Sequence, residues 1–279
     1  MRPGGRREYD IAVLAKTLDL LEALAEAGRL SLGELSRRTD VNRTSAYRIL
    51  ATLATRGYIA KDAGQRVYLP GPRLLAISAA FLSGLGLIQF ARPVMESLSA
   101  ELGETVNLGI LNGYQVLYLD MIEGHQSLRM AARVGSHDAV HCTALGKALL
   151  AFTPSEDLQN LLVSCTWEQR TRRTRKSTDA LRRDLARVRR QGFATDDEEN
   201  ERGVRCIGVP IRDGQGRPIA ALSVSGPTAR LPRSAWPRIA RRLNLAAQAI
   251  ERRMGGGVRI KGRQSLPRAL PRQADSRPG

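Results

Sequence analysis

The sequence predicts an α+β protein of two domains, a small helical domain closed by a β-hairpin and a larger mixed domain. Two observations carry that prediction. Apolar residues recur at helical spacing through the first 60 or so residues, whereas β-hairpin signals dominate beyond residue 105. Between them Gly84 and Gly86 interrupt a helical pattern, and the domain boundary is expected there. The 279 residues suit about two domains at ~100–200 residues each. With 42% hydrophobic and 25% charged residues, each domain can bury a core.

The elements of the first domain, residues 1–70, follow in order. Over 10–27, Ile11, Leu14, Leu18 and Leu21 repeat at three and four, and Gly28 stands where a helix stops. Ser31 to Glu34 has the form of a capping box and opens a short second helix that buries Leu32 and Leu35. Thr39, Asp40 and Val41 make a turn. Asn42 then caps a third helix whose Ala46, Ile49, Leu50 and Leu53 face inward, and Gly57 ends it. Residues 58–61 and 66–69 pair as a hairpin across Asp62, Ala63, Gly64 and Gln65. Pro72 sits well at the first position of a further helix over 73–82, within a connecting segment 71–86.

The second domain, residues 87–254, opens with a helix over 87–102 that Pro93 must kink or begin. A hairpin follows, its turn placed at Asn112-Gly113, a pair suited to a type I′ turn. A strand at 128–132, a helix from Thr143 and a helix over 178–191 come next. Residues 204–212 and 217–225 form another hairpin, and a helix over 234–253 closes the domain. Residues 255–279 hold three successive glycines and a proline- and arginine-rich remainder, which reads as a disordered basic tail.

Several function classes find little support. No run of apolar residues reaches the ~18–20 needed to span a bilayer, and no apolar stretch follows the basic MRPGGRREYD, so a cytoplasmic location without membrane contact is expected. Cys142, Cys165 and Cys206 are scattered and odd in number, which suits a reduced compartment. His137 and His141 are four apart, but in a stretch that reads as loop they share no face, and no metal or other cofactor is expected. Gly146-Lys147 lacks the Ser/Thr and upstream glycine of a phosphate-binding loop, and Ser225-Gly226 lacks the leading glycine of a nucleophile elbow. No catalytic set emerges.

The formal charge of +17 points towards a polyanionic partner. That excess is spread along the chain, 13 basic against 8 acidic residues in 1–84 and 25 against 18 in 85–254, so placement must decide its meaning. The arginines between Arg170 and Arg190 read mainly as a solvated helix face, with an extra DNA or oligomer contact as the alternative. The third helix is more informative. Two helices joined by a tight turn, the second one capped, form the helix-turn-helix pattern, in which the second helix enters the major groove of DNA. With Ala46, Ile49 and Leu50 inward, Arg43 with Tyr47 and Thr44 with Arg48 stack as i, i+4 pairs on the outward face. Arginine can pair bidentately with guanine, and a threonine methyl can meet a thymine methyl. Ser45 and Tyr47 suit phosphate. Lys61, Gln65 and Arg66 of the hairpin could reach the flanking backbone as a wing, and Arg2, Arg6 and Arg7 could add contacts from an N-terminal arm.

With those residues in view, the sequence resembles the isocitrate-lyase-regulator (IclR) family of bacterial transcription factors. The resemblance spans about residues 10–252 and is most specific at HCTALGKALLA (141–151), DDEENERGVRCIGVPI (196–211) and ALSVSGP (221–227). It implies a winged helix-turn-helix, a linker helix used in dimerisation, and a GAF-like effector-binding domain. It also implies a homodimer or homotetramer that binds double-stranded operator DNA and regulates a metabolic operon, as a repressor, in response to a small carboxylic or aromatic acid. Matched residue by residue, the effector-binding candidates are Met130, Val140, Ala144, Leu145, Asp196, Val204, Cys206, Ser223 and Ser225. Strand alternation independently sets Ser223 with Ser225, and Val204 with Cys206, on common faces. Thr143 can cap a helix whose first N–H groups suit a carboxylate. No arginine falls on a matched position, so a carboxylate would be held by those N–H groups and hydroxyls, or by Arg129 or Arg133. Asp196 could instead lie in a solvated acidic turn. Two other functional readings stay open, an activator of the same family and an enzyme acting on a small acid.

Overall fold

The computed structural model describes residues 11–62, 64–126, 133–163 and 165–255. The chain forms two compact units, Met1–Gly84 and Leu85–Gly279.

The first unit begins with helix α1 (Ala12–Ala27), which Gly28 ends by donating its N–H to Leu24. Its buried face is Leu20, Ala23 and Leu24, while Ile11, Leu14 and Leu18 are 64%, 53% and 51% exposed. The three-and-four repeat therefore located the helix but not its inward side, because α1 carries two apolar stripes and only one meets the core. A two-residue strand β1 (Leu30–Ser31) precedes helix α2 (Leu32–Thr39). Ser31 and Glu34 form both bonds of the capping box. Leu35 is fully buried and Leu32 only partly. Asp40, with φ of +55°, turns the chain into helix α3 (Arg43–Thr55), where Asn42 Oδ1 accepts the Ser45 N–H at 2.9 Å. Ala46, Ile49, Leu50 and Leu53 are buried as their spacing predicts.

Strands β2 (Ile59–Asp62) and β3 (Val67–Pro70) make the hairpin one residue later than the sequence places it, and β1 adds a third strand beside β3. Helix α4 (Pro72–Leu85) follows at once. Gly71 joins the hairpin to α4 with no room to spare. A Cβ there would lie 2.3 Å from the Gly57 oxygen, and backbone bonds run from Gly71 to Tyr58 and from Arg73 to Gly57. The helix continues through Gly84, so Gly86 alone breaks it; the backbone there has φ of +58°.

In the second unit, helix α5 (Leu87–Leu102) runs through Pro93 instead of starting there. Strands β4 (Thr105–Asn112) and β5 (Gln115–Ile122) pair with Asn112 opposite Gln115, so the two loop residues are Gly113 and Tyr114, not Asn112 and Gly113. Only Gly113 has positive φ, whereas a type I′ turn requires it at both positions. The predicted strand at 128–132 lies outside the described residues. Residues expected as loop form a short edge strand, β6 (His137–Ala139).

Next come helices α6 (Ala144–Phe152), α7 (Ser155–Val163) and α8 (Thr178–Gln191), then β7 (Ala194–Asp197), β8 (Val204–Arg212) and β9 (Pro218–Pro227). A 3-10 turn at Arg233–Ala235 leads into α9 (Trp236–Gly255). The six strands make one antiparallel sheet ordered β6-β5-β4-β9-β8-β7. Helices α5 and α9 pack on one face and α6, backed by α8, on the other. Among the described residues no helix is long and apolar enough to cross a membrane.

Candidate functional site

On α3 the core residues fix the helix's rotation, and Arg43, Thr44, Tyr47 and Arg48 are left exposed together on its outer side. Ser45, tied by its N–H to the Asn42 cap, is half-buried. The Arg43 guanidinium rests over Gly33 in the first turn of α2. On the hairpin Lys61, Gln65 and Arg66 are all exposed. Asp62 Oδ1 accepts the N–H groups of Gly64 and Gln65 and holds the tip, and Arg66 adopts φ of +54° at its end. Lys61 Nζ stands 5.9 Å from the Tyr68 ring centroid. Arg29, which sequence reasoning did not single out, reaches the Gln65 side chain at 3.4 Å and extends the cationic edge of the hairpin. Arg2, Arg6 and Arg7 lie outside the described residues.

The second cluster is enclosed. Register sets Asp196, Cys206, Ser225 and Thr105 in one row across β7, β8, β9 and β4, and Gly208, Ser223, Asn107 and Met121 in the next row. Both rows face α6, since a Cβ on Gly208 would sit 2.8 Å from the Ala144 oxygen. Val140, Ala144 and Leu145 come from the other side, at and before the first turn of α6, and are 1–2% exposed. Thr143 caps that helix, its hydroxyl accepting the Gly146 N–H at 3.1 Å. Val204 is buried at the start of β8 and Cys206 is half-buried, its thiol pushed well up by burial and the nearby Asp196. The structure thus gathers every effector candidate except Met130, which, like Arg129, lies outside the described residues. Arg133 is exposed.

The acidic run 196–199 is not a solvated turn. Asp196 is a buried strand residue whose Oδ1 accepts the N–H groups of Glu199 at 2.7 Å and Asn200 at 3.3 Å. Burial raises its carboxyl to about 7, against the pull of Lys147. Asp197, on the opposite side of the strand, pairs with Arg173, Arg205 and Arg233. Glu199 is buried against Lys147, both carboxylate oxygens 2.7 Å from Nζ, and Asp184 of α8 stands 3.9 Å from the same nitrogen.

Sequence reasoning missed this ion group, although a lysine inside the apolar run ALGKALLAF is its signal. It also missed a polar chain above the sheet. The Tyr118 hydroxyl donates to Asp138, Asn200 bonds the same carboxylate, and the Cys142 thiol donates to Asn200. His141 is fully buried against Trp167, with Nε2 3.1 Å from the Glu168 carbonyl, and ties down the loop before α6. His137 is exposed and pairs instead with Asn112. Among the described residues no group of His, Cys, Asp or Glu has the arrangement of a metal site.

Two family models match this architecture, the IclR helix-turn-helix domain over residues 13–63 and the bacterial transcriptional regulator IclR C-terminal domain over 79–252. The chain belongs to the IclR family. It is 39% identical to the HTH-type transcriptional regulator BhcR of Paracoccus denitrificans, over 82% of this chain and 84% of that one. It is 35% identical to KdgR of Escherichia coli, over 88% and 93%. Among solved structures, an IclR homologue from Microbacterium hydrocarbonoxydans complexed with 4-hydroxybenzoate superposes with a TM-score of 0.78 at 26% identity, covering 88% of this chain and all of that one. Thermotoga maritima IclR superposes with a TM-score of 0.73 at 29% identity, covering 88% and 100%. As an IclR-family member the protein is a DNA-binding transcriptional regulator, with a helix-turn-helix domain followed by an α+β domain.

Proposed function

We propose that this regulator is a cytoplasmic homodimer or homotetramer that represses a metabolic operon and is controlled by a small organic acid bound in the second unit. The carrying observation for the DNA contact is the face of α3 left over after its core is satisfied. Arg43, Thr44, Tyr47 and Arg48 have no packing role to explain them. In this reading Arg43 and Arg48 read base edges, Thr44 meets a methyl group, and Ser45, Tyr47, Lys61, Gln65 and Arg66 hold the phosphate backbone. Self-association is supported by the exposed apolar stripe of α1, where Ile11, Val13, Leu14 and Leu18 are each more than half exposed.

The acid is seated between α6 and the sheet. Its carboxylate takes hydrogens from Ser223, Ser225 and the first N–H groups of α6, while Val140, Ala144, Leu145 and Val204 supply apolar walls. The complex of the Microbacterium homologue with 4-hydroxybenzoate supports an acid of this general kind. Effector control requires only that the acid bind the DNA-competent and incompetent states unequally.

The deciding experiment is binding to DNA from upstream of the protein's own gene, against scrambled DNA, at two salt concentrations. Preference for the native fragment that survives the higher salt is expected. Equal affinity for both that collapses with salt would reduce the protein to a merely basic one.

A further inference from the structure

Strand β4 places an asparagine where its neighbours are apolar. Val106, Leu108 and Ile110 fill one side of the strand, and Asn107, 3% exposed, lies on the other beside Ser223 of β9. Its Nδ2 donates to Ser223 Oγ at 3.3 Å and to Ser225 Oγ at 3.0 Å, so both amide hydrogens are used. Its Oδ1 is buried and has no hydrogen-bond donor among the described residues. A buried acceptor left in this state is costly, and a leucine or valine would serve the strand better. The arrangement becomes intelligible when a ligand supplies the missing hydrogen.

The serine hydroxyls complete the argument. Each accepts from Asn107, so each turns its own hydrogen elsewhere, and the face presents two hydroxyl donors next to one bare acceptor. A carboxylate alone satisfies the donors but sets its own oxygens against Oδ1. A molecule with a carboxylate and a hydroxyl satisfies all three. We infer that the effector is a hydroxylated acid whose hydroxyl donates to Asn107 Oδ1, and that Asn107 distinguishes it from the same acid without the hydroxyl. This rests on the acid-effector reading above. Such a site rejects the analogue lacking the hydroxyl, because binding it would seal an unpaired acceptor. The expected discrimination is about 10–100-fold in Kd.

The test uses the full-length protein and matched acids measured by calorimetry: glycolate with acetate, lactate with propionate, and 4-hydroxybenzoate with benzoate. In at least one pair the hydroxylated member should bind ten-fold or more tightly. Asn107→Val should bring that ratio close to one, whereas Ser225→Ala should weaken both members alike. If Asn107→Val does not fold, the wild-type ratios still decide the hydroxyl preference and Asn107→Thr replaces it. Equal affinities within every binding pair would overturn the hydroxyl assignment and leave the acid-effector reading standing. A preference that persists in the Asn107 variant would place the acceptor elsewhere and overturn the role of Asn107. Binding by none of the six acids would remove both readings together.

Discussion

The α3 face and the α6-facing strand rows are both polar, but they are polar for opposite reasons. On α3 the side chains are outside because the core has no use for them, so their identities answer only to what comes from solution. Around Asp196 and Ser225 the polar groups are inside, where each must satisfy a neighbour before it can serve a ligand. A change on the first surface should cost affinity and leave folding intact, whereas a change in the second should disturb both.

The largest expected effect tests the buried side of that contrast. Lys147→Met leaves Glu199 buried without its partner and should cost about 3–5 kcal/mol of stability, read as a lowered urea midpoint. Pairing it with Glu199→Leu should restore most of the loss, and a double variant as unstable as the single one would show that the pair stabilises by more than mutual neutralisation.

Asp196 comes next. Its carboxyl is raised from its ordinary value to about 7 by burial, so the folded state holds its proton more tightly than the unfolded chain. The sign follows from linkage. Below about pH 4 both states are protonated and there is no penalty, and stability then falls as pH rises towards about 7. Urea midpoints measured across that range should decline more steeply in the wild type than in Asp196→Asn, and parallel profiles would refute the assignment.

A smaller effect belongs to the open face. Arg48→Ala should weaken operator binding by about 1–3 kcal/mol, relax preference at one base pair and leave the melting temperature unchanged. Equal loss on operator and random DNA would make Arg48 a phosphate contact. The smallest concerns the helix that carries this face. Asn42→Ala removes the cap bond to Ser45 and should cost about 1 kcal/mol of stability, seen in thermal unfolding.

What the sequence disclosed follows the same division. Helix α3, its cap and its four inward residues were legible because every signal lies within thirteen neighbouring residues. Strand alternation likewise set Ser223 with Ser225. The inward face of α1 was not legible, since two apolar stripes compete and the choice belongs to partners such as Tyr68 and Ile59 far along the chain. Strand β1 was too short for any pattern. Asn107 was hidden because its importance lies in a bond across 118 residues to Ser225, and Glu199 because its partner stands 52 residues away. The resemblance to a known family supplied the effector candidates; periodicity alone would have left Asp196 in a surface turn.

Gly71 gives the first unit a mechanical property. The chain there threads between the end of α3 and the start of α4, with backbone bonds to Tyr58 and Gly57 on either side of it. A flexible joint at this point would absorb motion, but a seam riveted by main-chain bonds and too tight for a methyl group does not. Torque applied to α4 is therefore delivered to the segment that ends α3, and the reading helix behaves as the short arm of a lever whose long arm is α4.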